Sequence, residues 1–300
     1  MAGSALRLSL EYIGARFAMA LIRHLPPRAV CAAACLAGDL AYLFARRRRR
    51  TALENIEKAG VAASPREVRR IARESFRSIA LAVAESVIVP RIYEEGGGRQ
   101  SMVDVVMPEA TRKILEDPAQ GVIIVSGHLG NWELGAKFTS KFKPVTGVAR
   151  RMNNARVQEL MDAVKLRDGF ETIDKHDPSP MKVVRALRNH RALALLTDQH
   201  AHGESTCVID FFGRPAKTYA TPAVLHHLTH APLVMCFVTR VGRLRFKAEY
   251  TAPFDCPIRK ETLDADVAAV TQALASRLED EIRKCPGQYL WAHRRWRMDK

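Results

Sequence analysis

From residue 102 onward, short apolar runs of strand length alternate with stretches whose apolar positions recur at helical spacing. Residues 102–106 precede a helical pattern from Pro108, 122–125 one through Leu134, and 145–149 one near 155–166. The series continues with a run at 170–173, a helix over 180–189 and a run at 192–196. Strands alternating with helices predict an α/β fold, a mixed and mostly parallel central sheet flanked by helices. Runs 233–239 and 244–250, separated by Arg-Val-Gly-Arg, predict a hairpin closing one side of that sheet. A final helix is predicted over about 263–284. Ser64, Pro65 and Glu67 form a capping box that opens a helix running towards Val89, before Pro90, and Gly96-Gly-Gly98 marks a loop.

The first 50 residues break the pattern. Residues 5–25 are mostly apolar up to Pro26-Pro27, yet Arg7 and Glu11 fall on the helix face opposite Arg16 and Arg23. Residues 29–45 are more apolar but contain Asp39, and as a helix they reach about 25 Å against roughly 30 Å of hydrocarbon. Five arginines follow at 46–50, a cluster suited to anionic headgroups. Nine arginines less Glu11 and Asp39 leave +7 in this sixth of the chain. The expected organisation is a membrane-associating helical segment over 1–50 and a catalytic domain over 51–300. A soluble helical hairpin with a solvated basic tip is the alternative.

Charge and cysteines narrow the partners. A formal charge of +15 calls for an acidic partner: nucleic acid, an anionic membrane surface, or an acidic protein or substrate. No helix-turn-helix, RNA-recognition or zinc-finger signature accompanies it, so nucleic acid is not expected. The six cysteines include no Cys-x-x-Cys pair, which suits free thiols in a reducing compartment, and neither end reads as a secretory signal. His226 and His230 stand at i, i+4, and His200 and His202 are close, but no supporting carboxylate or cysteine spacing argues for a metal.

The chemistry centres on residues 127–133, Gly-His-Leu-Gly-Asn-Trp-Glu, at the end of the apolar run 121–125. A loop there presents His128 at the carboxyl edge of the sheet, where open α/β sheets place their sites. Glu133 can meet His128 only if His128 lies in the loop and Glu133 in the first helical turn. That arrangement suits an imidazole base held by a carboxylate. Arg150 and Arg151, and Asp198 with Gln199, also follow strands and fall at the same edge.

The segment 127–134 resembles the signature of the lipid A late acyltransferases, the lauroyl and myristoyl transferases of the lysophospholipid acyltransferase superfamily. Further blocks match in order: Arg47–Arg50 with Asn55, Arg-Arg-Met-Asn-Asn at 150–154, Arg167 with Gly169, Thr-Asp-Gln at 197–199, Phe-Phe-Gly at 211–213, and Gln-Tyr-Leu-Trp-Ala-His-Arg-Arg-Trp at 288–296. The resemblance implies a glycerolipid acyltransferase-like fold and transfer of a fatty acyl chain from acyl carrier protein to a hydroxyl of a lipid A precursor or related glycolipid. The expected setting is the cytoplasmic face of the bacterial inner membrane. It implies His128 as general base with Glu133 as its partner, and substrate contacts from Gly130, Asn131, Arg150, Arg151, Asn153, Asp198 and Gln199. A thioester donor requires no cofactor, no metal and no covalent enzyme nucleophile. The aromatic and basic residues of 291–296 suit a membrane-interface contact or a surface strip.

Two other readings stand beside this one. A lysophospholipid or another lipid could be the acceptor, although the glycerophospholipid branch normally has Asp at position 133 and a Pro-Glu-Gly-Thr-Arg block, which this chain lacks. More remotely, the chain could be a non-catalytic basic protein that binds membranes or nucleic acid.

Overall fold

The computed structural model describes residues 2–95, 102–167, 169–176, 179, 181–203 and 205–297, so the expected loop at Gly96–Gly98 lies outside the described residues. Four helices come first: α1 (Ala2–His24), α2 (Pro27–Phe44), α3 (Arg46–Ala59) and α4 (Pro65–Glu95). The arginine run opens α3, because the backbone breaks at Ala45 (φ −82°, ψ 63°). Ser64 Oγ accepts from the Glu67 N–H at 3.3 Å, and the Glu67 carboxylate accepts from Ala63 N–H at 2.8 Å, so the α4 start is capped from both sides. Helix α4 continues through Pro90 rather than stopping before it. An interior proline forfeits one hydrogen bond but its φ is compatible with the helix.

The α/β part runs β1 (Val103–Val106), α5 (Glu109–Glu116), β2 (Val122–Ser126), α6 (Trp132–Thr139), β3 (Val145–Ala149), α7 (Ala155–Arg167), β4 (Phe170–Asp174), α8 (Met181–Arg188) and β5 (Ala192–Leu196). There follow β6 (Thr206–Asp210), β7 (Pro215–Tyr219), α9 (Thr221–Thr229), β8 (Leu233–Gly242), β9 (Arg245–Tyr250) and α10 (Leu263–Lys284). The main sheet has the order β1-β9-β8-β2-β5-β3-β4, and every pairing in it is parallel except β8 with β9. The expected hairpin therefore forms but does not close the sheet, since β1 adds outside it. The small β6–β7 hairpin carries no apolar alternation strong enough to have been read from the chain.

Because successive strand residues face opposite ways, β2 feeds two cores. Ile123 and Val125 join Ile71, Leu193, Leu195 and Leu278 on one face, while Val122 and Ile124 join Leu134, Phe138, Val145 and Phe246 on the other. Strand β2 is buried on both sides near the centre of the sheet, so the loop that leaves its carboxyl end starts from a rigid base.

Candidate active site

Strands β2 and β5 are parallel neighbours, with Ser126 opposite Leu196. His128 and Asp198 each lie two residues further on and therefore reach the same level above the carboxyl edge. The Asp198 carboxylate accepts twice from His128: Oδ1 from the ring Nδ1 at 2.8 Å and Oδ2 from the backbone N–H at 2.9 Å. A carboxylate can only accept, so Nδ1 carries the proton and Nε2 keeps a lone pair on the far side of the ring. There Gln199 Nε2 stands 3.4 Å away, and the Trp132 ring packs edge-on against the imidazole with centroids 4.9 Å apart.

Burial by itself would lower the His128 pKa, but the charge and hydrogen bond of Asp198, with a smaller push from Glu133, raise it above the ordinary value. Burial likewise opposes ionisation of Asp198, yet the facing imidazole and its two hydrogen bonds hold the carboxyl below its usual range. The expected contact thus has a different owner. His128 is in the loop and Glu133 in the first turn of α6, as predicted, but the group on Nδ1 is Asp198, supplied from 70 residues away by the adjacent strand.

The loop's shape is set by backbone partners. Gly130 N–H donates to Gln288 O at 3.0 Å and Asn131 N–H to Val238 O at 2.7 Å. Gly130 has φ +63°, and a Cβ there would collide with the Val238 carbonyl, so the position is closed to other residues. The Asn131 side chain caps α6 through Leu134 N–H (3.2 Å) and donates to Glu85 (3.0 Å), which pairs with Arg240 at 2.7 Å. Gly130 and Asn131 are expected to touch substrate, but the structure turns both into the protein, where they shape the loop that carries His128. Arg150, Arg151 and Asn153 are exposed beyond β3 at the same edge as His128, with Arg150 donating to Asn153 Oδ1 at 3.4 Å.

A narrow apolar cavity of about 100 Å³ runs between α6 and strands β2, β5 and β3, reached from the imidazole through the Trp132 ring that packs on it and forms one of its walls. Trp132, Glu133, Ala149 and Leu196 border it near the carboxyl edge, and Thr139, Val145, Phe170 and Cys236 line its deeper part.

The terminal segment is not a surface strip. Trp291 and Arg295 are 1% and 3% exposed, and the segment straps the His128 loop from behind. Leu290 N–H donates to His128 O at 3.0 Å, and Asn55 Nδ2 holds the carbonyls of Trp291 (2.8 Å) and His293 (2.6 Å). Tyr289 is buried beside Asp198, and burial together with that charge pushes its titration well up. Burial lowers His293 to about 4, so its ring is neutral near pH 7 and accepts from His200 N–H at 3.0 Å. The block is visible in the sequence but its inward-facing role is not, because nothing in a Trp-Ala-His-Arg-Arg-Trp string shows which side faces water. The helix face at His226 and His230 is also taken up locally: the His226 nitrogens face the carbonyls of Ala231 and Cys256 at 2.8 and 3.2 Å, and His230 ends α9 with positive φ.

An imidazole oriented by a buried carboxylate at the edge of a mostly parallel sheet can chemically take a proton from a hydroxyl. Residues 3–298 match the bacterial lipid A biosynthesis acyltransferase family, and the chain belongs to it and is an O-acyltransferase. It is 24% identical to the lipid A biosynthesis palmitoleoyltransferase of Escherichia coli K12 over 91% of this chain and 87% of that one. It is 25% identical to the lipid A biosynthesis acyltransferase of Haemophilus influenzae over 76% and 70% of the two chains. A phosphatidylinositol mannoside acyltransferase of Mycobacterium tuberculosis H37Rv is 28% identical over 60% and 55%.

Proposed function

We propose that this enzyme moves a fatty acyl chain from an acyl carrier protein thioester to a hydroxyl of a lipid A precursor or related glycolipid, with His128 as general base. The observation that carries the reading is the His128 Nδ1–Asp198 bond, which leaves Nε2 as the basic nitrogen of a ring packed against Trp132, a wall of the apolar slot. As the acceptor oxygen attacks the thioester carbonyl, Nε2 takes its proton. The tetrahedral intermediate then collapses with loss of the thiolate, which recovers that proton as the thiol. Asp198 stabilises the imidazolium between the two transfers, and Glu133, in the adjoining helix turn, adds negative charge on the same side.

The acyl chain occupies the slot lined by Val145, Phe170 and Ala194. Arg150, Arg151 and Asn153, with Gln199, bind the polar part of the substrates. Both the donor carrier and a phosphorylated glycolipid are acidic, which matches the charge of +15. The names of the relatives divide between lipid A and phosphatidylinositol mannoside, so a glycolipid hydroxyl is the acceptor class favoured over a lysophospholipid. The site faces the cytoplasmic surface of the inner membrane, with residues 1–50 as the attaching segment and 51–300 as the catalytic domain. The test is acyl transfer by purified protein from acyl carrier protein and from acyl coenzyme A to a lipid A precursor. Transfer from neither donor sinks the reading.

A further inference from the structure

We infer that α1 and α2 lie flat on an anionic lipid surface as an in-plane hairpin and that α2 does not cross the bilayer. The inference rests on the membrane attachment proposed above and specifies its geometry.

The faces of the two helices carry the argument. On α1, Leu6, Leu10, Ile13, Phe17 and Leu21 are exposed, each at least 45%, and their spacing of three and four residues places them on one stripe. Arg7 and Glu11 border that stripe on one side and Arg16 on the other, about 100° away. The charges that spoil α1 as a span are thus placed as the two margins of an interfacial helix. Its opposite face rests on the protein: Asn154 Nδ2 donates to Leu8 O at 2.7 Å, and Arg156 stacks over the Tyr12 ring at 4.4 Å. On α2, Leu36, Leu40, Leu43 and Phe44 make a second exposed stripe, while Cys31, Gly38 and Tyr42 face inward.

Helix α2 is also bound to α4. Asp39 accepts two bonds each from Arg73 (2.7 and 2.7 Å) and Arg77 (2.7 and 2.6 Å), and a Cβ on Gly38 would strike the Arg77 backbone. Helix α4 contributes Ile71 and Ala72 to the core and holds the terminal strap through Ser75 and Ser78, so it cannot follow α2 into hydrocarbon. A spanning α2 would either leave Asp39 without its arginines or drag both of them into the membrane. At 18 residues and about 27 Å, α2 is long and apolar enough to cross a membrane by length and composition alone, so what holds it out is the tie of Asp39 to α4. Arg46, Arg47, Arg48 and Arg50 emerge exposed directly after Phe44, where headgroups would sit beside a stripe lying in the interface. Since Asn154 ties α1 to the loop of Arg150, Arg151 and Asn153, this pose holds the cleft at the lipid surface, open to an acceptor arriving sideways.

Two measurements test it. The full chain is floated with vesicles of phosphatidylcholine with or without phosphatidylglycerol. Wild type is expected to float with the anionic vesicles, and Leu10→Glu with Phe17→Glu to lose roughly tenfold or more in binding while far-ultraviolet circular dichroism is unchanged. In cell membranes, Arg28→Cys and Arg46→Cys are probed separately with an impermeant maleimide, wild type giving the background of native thiols. Both are expected to label in inside-out vesicles and neither in right-side-out ones. Labelling from opposite sides makes α2 a span and overturns the in-plane pose alone, whereas wild type that never floats also removes the membrane attachment beneath it. If the two glutamates abolish a dimer and leave vesicle binding intact, the stripe belongs to a second copy and the inference is wrong.

Discussion

At the scale of single residues, the proposed site rests on one imidazole whose state two carboxylates bias. His128→Ala is expected to lower kcat by roughly 10²–10⁴-fold with the fold retained, the usual worth of a positioned base. The base acts only when neutral, so the acid limb of the kcat/KM profile should have its midpoint above the ordinary 6.5. Asp198→Asn should move that limb downward and cost roughly tenfold or more in kcat, because the imidazolium loses its partner. Glu133→Gln should move the limb less, since Asp198 is the closer charge. The same pair makes a statement about stability. The raised histidine stabilises the fold below its unfolded value and loses that contribution as pH rises through its folded pKa; the depressed aspartate stabilises above 3.8 and loses it as pH falls. The stability gap between wild type and Asp198→Asn, read from denaturant titrations, should therefore be widest between about pH 4 and 6.5 and narrow on either side. Gly130→Ala should destabilise by at least about 1–3 kcal/mol, because it adds a Cβ where φ is positive and a carbonyl already sits.

At the scale of elements, what sets the site is which strands are neighbours. The strand-then-loop signal at 121–128 put His128 at the carboxyl edge, and Asp198 ended its strand in the same way. Local spacing favoured Glu133 as the partner, because only pairs near in the chain can be read without strand order. The order β2-β5-β3, which seats Asp198 beside His128, is a tertiary fact with no local trace. Gly130 and Asn131 were legible as special positions, but their partners, Val238 and Glu85, come from a distant strand and from α4. The terminal strap is the sharpest case. Asn55 on α3 reaches two of its carbonyls, and Asn55→Ala should cost about 1–3 kcal/mol in chemical denaturation and slow catalysis by loosening the backing of His128. The apolar slot makes a separate prediction for β5. Ala194→Leu fills space between Ile124 and Gly147, its neighbours on β2 and β3, and product masses should shift towards shorter acyl chains.

At the scale of the whole molecule, an α/β sheet gathers His128 and Asp198 at one edge and a helical N-terminal region offers apolar stripes and arginines beside it. The class of fold was readable from alternating strand and helix periods, which depend only on local pattern. The N-terminal region was not, because its helices carry charge on both flanks of an apolar face, and only the docking of α2 on α4 shows which face is left for another partner. The central claim, acyl transfer through His128, is tested most directly by mass spectrometry of the lipids from cells lacking the gene that carry either wild type or His128→Ala at equal level. Wild type should add the mass of one acyl chain to a glycolipid, and the folded variant should add none. An equal gain with His128→Ala, or no change with wild type, would contradict the account.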